Sequence, residues 1–361
     1  MKKLKSFDSR IFSGLVVFLS LIISACQTNT PVYLDPVEVP GQIQDAEPES
    51  SIQVYFTDPE LNGFRGGPDS YLETALDQAR YEIDGAVYDF NLWSIRDALI
   101  RAHRRGVQVR LVVEKDFLDR EEIQDLITAG IEIVPDQNEA LMHNKFFVID
   151  GSEVWTGSMN FTVNGAYRHL NNLIRIRSGL LAENYEAEFE EMFTDRLFGE
   201  DVLFNTPHPT LTLEGIRVET FFSPDDDALD RVQDLIWSAN QSIDFLYYSF
   251  TDDETADAII ARALDGVAVR GVLDAYQNQA GLGSEYENFR GANLEVYLDN
   301  YPEKLHHKVI ILDGEILVTG SANLTYSADV RNDENILIVH SPDLAALYIE
   351  EFNWIFQQAV E

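Results

Sequence analysis

The chemistry this sequence offers is concentrated in two histidine–lysine pairs. The pattern His-x-Lys-x-x-x-x-Asp occurs as His143, Lys145 and Asp150, and again as His306, Lys308 and Asp313. Each copy runs on into Gly-Ser-x-Asn, ending at Asn160 and Asn323. Lysine is scarce: of seven in 361 residues, three lie in the first five positions and two of the other four fall inside the motifs. Scarce residues repeated at one spacing with one tail form a constellation. An imidazole can act as nucleophile or proton donor near neutral pH, and an ammonium is a compact charge that grips phosphate oxygens. A doubled pair therefore suits a two-step attack on a phosphodiester.

The elements that must position these residues are themselves repeated. Residues 83–115 align without gaps on 243–275 at an offset of 160, bringing Asp84 onto Asp244 and Gly106 onto Gly266. The motif segments align at an offset of 163, so three extra residues enter the second half near 276–290. A period of this length exceeds that of solenoid repeats, roughly 20–50 residues. It fits two duplicated domains of ordinary size, 51–200 with a motif region at 137–164 and 201–361 with one at 300–327.

Each half reads as α/β. Residues 107–113 and 267–273 are short, apolar and β-branched, like buried strands. Helical stretches at 94–105 and 254–265 end at Gly106 and Gly266, the expected stop. The motif sits on a hairpin: 145–149 and 308–312 are strand-like, Asp150-Gly151 and Asp313-Gly314 are favoured two-residue turns, and 153–156 and 315–319 run back. Residues two apart on a strand share a face, so His143 points with Lys145 and His306 with Lys308. Asp150 and Asp313 have the opposite parity and occupy the turns, which makes their role structural. His307 points away from the His306 face, toward a surface or packing role.

The paired motifs with their Gly-Ser-x-Asn tails resemble the phospholipase D superfamily over residues 51–361. The resemblance implies duplicated α/β/α sandwich lobes about a pseudo-twofold axis, an internal pseudo-dimer in a monomeric chain, with one shared active site. It also implies metal-independent hydrolysis or transfer through a phosphohistidine, with no cofactor. Lys145 and Lys308 would hold the non-bridging oxygens, and Asn160, Asn323, Ser158 and Ser321 would complete the phosphate cradle. The individual halves are most similar to the endonuclease and mitochondrial cardiolipin-hydrolase branch, in which an acidic residue 28 positions after the histidine pairs with the imidazole. Glu334 keeps that position in the second half; the first half has Asn171 there. If each partner serves its own half, Glu334 favours a protonated His306 as general acid and Asn171 leaves His143 neutral as nucleophile.

The first fifty residues bear on location. Lys2, Lys3, Lys5 and Arg10 precede the apolar run 11–23, which is followed by Ser24, Ala25 and Cys26, the only cysteine. A basic start, a short apolar core and small residues before a boundary make a secretory signal over 1–25, too short to span a bilayer. Cys26 after Ser-Ala resembles the bacterial lipoprotein box, implying export to the cell envelope and a lipid anchor at that residue. Residues 26–50, rich in Pro, Asp, Glu and Gln, read as a flexible acidic tether.

The charge is −36, with 62 acids against 26 bases. A polyanion of this size repels nucleic acid and anionic lipid, since phosphate binding needs clustered Lys and Arg. The one visible basic cluster is Arg101, Arg104 and Arg105, so the acidity turns the substrate away from long nucleic acids. No His, Cys, Asp and Glu cluster has metal-ligand spacing. His103, His208 and His340 read as surface or packing residues, His169 as a lesser site candidate, and Trp93, Trp155, Trp237 and Trp354 as core. Three functional classes follow: a phospholipid hydrolase or transphosphatidylase first, a surface endonuclease cleaving DNA or RNA second, and a non-catalytic binding protein third. Cys26→Ser should release the protein from the membrane fraction without loss of catalysis. Mass spectrometry of the membrane fraction checks the anchor, and an unmodified N-terminus elsewhere would defeat it.

Overall fold

The computed structural model describes residues 50–60, 64–280 and 283–361. The signal segment, Cys26 and all but the last residue of the tether lie outside the described residues. In the first half the strands are β1 (Ile52–Phe56), β2 (Glu82–Val87), β3 (Gln108–Val113), β4 (Glu132–Pro135), β5 (Lys145–Ile149), β6 (Glu153–Gly157) and β7 (Asn172–Arg177). In the second half they are β8 (Thr210–Leu213), β9 (Ile216–Ser223), β10 (Ser242–Tyr247), β11 (Ala268–Leu273), β12 (Glu295–Leu298), β13 (Lys308–Leu312), β14 (Ile316–Gly320) and β15 (Glu334–His340). The first sheet runs β1-β7-β6-β5-β2-β3-β4, and the second runs β12-β11-β10-β13-β14-β15-β9-β8. Apart from the added edge strand β8, the second order repeats the first. In both sheets the strand bearing the motif lysine lies antiparallel beside the first strand of a parallel trio.

Both faces of each sheet are buried, which the period of two along the motif strands shows directly. Phe146 and Val148 enter a central core, whereas Phe147 and Ile149 enter an outer one. Val309 and Ile311 join that same central core, and Ile310 and Leu312 the outer core of the second lobe. The central core also takes Tyr185 and Phe189 from helix Gly179–Glu190, and Tyr348 and Phe352 from helix Pro342–Val360. Helices Pro68–Gln78, Trp93–Arg105 and Glu121–Ala129 cover the outer face of the first sheet with Leu76, Leu99 and Leu126. The duplicated α/β/α sandwich is thus realised with one apolar core shared by both lobes.

Of the four tryptophans, only Trp155 lies in a core. Trp93, Trp237 and Trp354 are about half exposed, contrary to expectation. Each falls off its helix's apolar stripe: Trp237, for example, lies beside a stripe of Leu229, Val232, Leu235 and Ile236.

The Asp-Gly hairpins have positive φ at both central residues, 52° and 57° at Asp150 and Gly151 and 55° and 66° at Asp313 and Gly314. That is the turn whose twist matches the flanking strands. The aspartates do a second job. Asp150 accepts the backbone N–H groups of Arg80, Tyr81 and Glu82, and Asp313 those of Asn240, Gln241 and Ser242. Each carboxylate thereby clamps the motif hairpin to the approach of β2 or β10.

A buried polar network joins the lobes. Asn335 Oδ1 accepts from Thr156 and from the Tyr185 hydroxyl, while its amide donates to Asn144, which donates to Glu188. The mirror image links Thr319 and Tyr348 to Asn172, whose amide lies 3.2 Å from His307 Nδ1, with Glu351 at 3.4 Å from His307 Nε2. His307 is thus wholly buried and joins the two lobes. Asp150→Ala leaves three N–H groups without their charged acceptor and should lower stability by about 1–2 kcal/mol. Urea unfolding followed by fluorescence checks this, and an unchanged midpoint would remove the clamp.

Candidate active site

The segments ahead of the two motif lysines cross the lobe boundary as backbone. His143 N–H donates to Asp333 C=O at 2.9 Å, and Asp333 N–H donates back to Leu141 at 3.0 Å. On the other side His306 N–H donates to Leu170 and Leu170 N–H to Lys304, both at 2.9 Å. Each histidine is therefore hydrogen-bonded to the residue immediately before the other lobe's acceptor.

The side chains follow. Glu334 carries its carboxylate to His143 Nδ1, at 2.7 and 2.8 Å, and Asn171 Oδ1 meets His306 Nδ1 at 2.9 Å. The pairing expected within each half is thus wrong: the acceptors are exchanged. Both acceptors are fully buried, and the two histidines nearly so. With Nδ1–H donated to an oxygen, each ring presents Nε2 as its reactive atom.

Ser158 and Ser321, expected in a phosphate cradle, have their hydroxyls engaged by the imidazole acceptors instead. Ser321 Oγ donates to Glu334 at 2.6 Å and accepts Asn335 N–H at 2.9 Å. Ser158 Oγ donates to Asn171 at 3.1 Å and accepts Asn172 N–H at 3.0 Å. They fix the acceptors that orient the imidazoles. The preceding glycines make this close approach possible. At Gly157 (φ 139°) and Gly320 (φ 147°), a Cβ would lie 2.6 Å from Asn172 O and 2.2 Å from Asn335 O.

Asn160 and Asn323 stand differently. Among the described residues their Oδ1 atoms are buried without a hydrogen-bond partner. A half-turn of either amide would present its NH2 at the same place, so both can meet a phosphoryl oxygen.

Lys145 and Lys308 are buried beside their histidines, each donating to the histidine carbonyl, at 2.5 and 2.9 Å. Two tyrosines missed in the sequence roof them. Lys145 Nζ lies 4.9 Å from the Tyr88 ring and Lys308 Nζ 5.2 Å from the Tyr248 ring. The same rings contact His143 and His306 at 4.6 and 4.9 Å. Tyr88 aligns on Tyr248 in the repeat, which is the signal that could have found them.

Burial dominates the electrostatics. It pushes Lys145 down to about 7, against the pull of Glu334 and Asp89, and holds Lys308 well below the usual lysine range, with Lys145 adding repulsion. Burial likewise lowers His143 to about 4, outweighing Glu334, which acts to raise it. His306 is held well below the usual range by burial and by Lys308, Lys145, His169 and His143. A carboxylate beside an imidazole therefore does not keep it protonated here. The arrangement is a buried set of bases short of negative charge, which is what a phosphodiester anion supplies. Asp150 and Asp313 stand apart at the turns, whereas His169 lies 6.1 Å ring to ring from His306. Among the described residues no group of three His, Cys, Asp or Glu is arranged to hold a metal.

Comparisons with known proteins agree with this geometry. The family model described as cardiolipin synthase, PLD-like domain, matches residues 72–193 and 232–356, one match per lobe. A phospholipase D of Rickettsia bellii is 31% identical over 169 residues, 45% of this chain and 83% of that protein. A mitochondrial cardiolipin hydrolase of Chlamydomonas reinhardtii is 32% identical over 126 residues, 35% of this chain and 56% of its own. The phosphatidylserine synthase structure of Haemophilus influenzae shares the fold with a TM-score of 0.65, at 15% identity, covering 85% of this chain and 86% of that one.

The lowered basicities set a direction. Between pH 6.5 and about 4 the unfolded His143 binds the proton that the folded one refuses, so this contribution to stability falls as pH falls. Between about 7 and 10.5 Lys145 acts likewise. An anion in the cleft restores the charged forms, so tungstate or inorganic phosphate should raise the thermal midpoint and take up protons at pH 7–8. Calorimetry in buffers of differing ionisation enthalpy reads the uptake; binding without it would mean that the bases are already charged.

Proposed function

We propose that this chain, which belongs to the phospholipase D-like domain family, hydrolyses phospholipid phosphodiesters through a phosphohistidine on His143, without a metal ion. The observation that carries the reading is the exchanged pairing, which gives the two histidines unequal partners in one buried cleft. Attack by His143 Nε2 on phosphorus forms a P–N bond and leaves positive charge on the ring. Glu334, 2.7 Å from Nδ1, compensates that charge; Asn171 offers His306 an acceptor of the same geometry and no charge. His306 is then the readier proton donor. Once the bound phosphodiester anion has restored its proton, His306 gives it to the leaving alcohol as the P–O bond breaks. Neutral again, it takes a proton from water, whose oxygen attacks phosphorus and breaks the P–N bond.

The division of labour proposed here is the one the sequence suggested, argued from a different cause. Lys145 and Lys308 hold the non-bridging oxygens and supply the positive charge that a metal supplies elsewhere, with Asn160 and Asn323 as further contacts. A lipid substrate is favoured by relatives named phospholipase D and cardiolipin hydrolase and by a net charge of −36, which disfavours long polyanions. The anchor expected at Cys26 would hold the catalytic lobes near their substrate.

With an activated aryl phosphodiester, His306→Ala should accumulate a phosphoenzyme on His143 and release it slowly, and His143→Ala should form none. Label on His306 would reverse the assignment. Headgroup release from phospholipid vesicles, assayed beside single- and double-stranded DNA in excess EDTA, tests substrate and metal independence together. Cleavage of DNA alone would favour the endonuclease reading, and loss of turnover restored by a divalent ion would defeat the metal-free step.

A further inference from the structure

The two sides of the cleft are built from equivalent segments but carry different charge. On the His306 side, Lys304 Nζ lies 5.1 Å from the Tyr248 ring, the ring that Lys308 approaches at 5.2 Å. The two ammonium groups are therefore at most about 10 Å apart across one phenol. His169 lies beside them, lowered to about 4 by burial and by Lys304, Lys308 and Arg168. The chain brings these residues together from positions 168–169 and 304 by the backbone bond from Leu170 N–H to Lys304 C=O and by a 2.8 Å bond from the Tyr301 hydroxyl to Arg168 C=O.

In the repeat frame Lys304 falls on Leu141 and His169 on Asn332, so the His143 side lacks both. Arg331, the counterpart of Arg168, lines a cavity of about 680 Å³ together with Glu139 and Glu200. Two further cations on that side are paired: Arg120 with Asp89 at 3.0 Å, and Lys115 with Asp136 at 3.6 Å. Among the described residues neither Lys304 nor Arg168 has a carboxylate oxygen within 4.0 Å. Asp274 attracts Lys304 from a distance while accepting Leu305 N–H, and Glu303 and Asp58 act on nearby Tyr301, none of them closing such a pair. In a chain with 62 acids against 26 bases, cations held over aromatic rings (Lys304 on Tyr248, Arg168 on Phe64) and without an ion-pair partner mark an anion subsite at one edge of the cleft.

We infer that Lys304, with Arg168 and His169, receives a second phosphate carried by the leaving alcohol of the substrate. The inference rests on the proposed function, in which His306 protonates that alcohol, and it narrows the substrate to phospholipids whose headgroup is itself phosphorylated. Lys304 acts on the headgroup and not on the reacting phosphorus, so it sets specificity.

The test compares two lipids in the same neutral vesicles: phosphatidylglycerol, and its counterpart with a phosphate on the headgroup glycerol. The native chain should show at least tenfold higher kcat/KM for the phosphorylated headgroup. Lys304→Gln should bring the ratio to within about twofold of one, with Arg168→Gln intermediate, whereas Arg104→Gln on a remote surface leaves it unchanged. A native ratio near one, or a ratio that Lys304→Gln does not move, overturns the subsite. Binding of glycerol 1,3-bisphosphate against glycerol phosphate, measured by calorimetry, reads the same preference without turnover. If neither lipid is hydrolysed but the bisphosphate still binds at least tenfold tighter and loses this in Lys304→Gln, the phospholipid reading fails and the subsite stands. Equal binding of the two defeats the subsite by itself.

Discussion

Two lysine amines and two imidazoles buried in one cleft cost the folded chain stability, and the rest of the molecule is arranged to hold them there. Desolvation opposes every one of these charges. The protein answers by leaving the bases short of protons and by placing one carboxylate, Glu334, in hydrogen-bond contact with His143, with Asp89 farther off toward Lys145. Rigidity then does what charge balance does not. The Asp150 and Asp313 clamps, the Gly-Ser supports of Asn171 and Glu334 and the shared apolar core keep the bases from moving apart.

The exchange of acceptors makes the two-lobed form obligatory for chemistry. Neither imidazole takes its Nδ1 acceptor from its own lobe. The polar network from Glu188 through Asn144 and Asn335, and its mirror through Asn172 and His307, fixes the register between lobes to within hydrogen-bond tolerance. Burial of these groups makes that register strict, because any slip would leave several polar atoms unpaired in an apolar setting.

Much of this was legible in the sequence, in a way that separates local from long-range information. The hairpins, their Asp-Gly turns and the common face of each His/Lys pair follow from short-range patterning, and the lobes follow from the repeat. The turn role of Asp150 and Asp313 followed from parity alone, because a period of two is rigid. The exchange of Glu334 and Asn171 could not be read, since a repeat alignment matches residues within a half and carries no record of which half they face. Ser158 and Ser321 looked like phosphate ligands because the motif places them beside Asn160 and Asn323; only the backbone path of β7 and β15 shows what their hydroxyls hold. Arg168, His169 and Lys304 are separated by some 135 positions, and no window of composition could gather them. The tryptophans misled for a simpler reason: size predicts burial on average, whereas phase on a helix decides it.

The exchanged acceptors also bear on how such a molecule can change over generations. A substitution that alters His306 finds its compensating partner at Asn171 in the opposite repeat, and one that alters His143 finds it at Glu334. The two halves therefore cannot drift as independent copies. Their divergence is tied crosswise, so that Asn171, standing where the second half has Glu334, sets the surroundings of the second histidine and not those of its neighbour in sequence. Inheritance in this fold follows contact, not repeat.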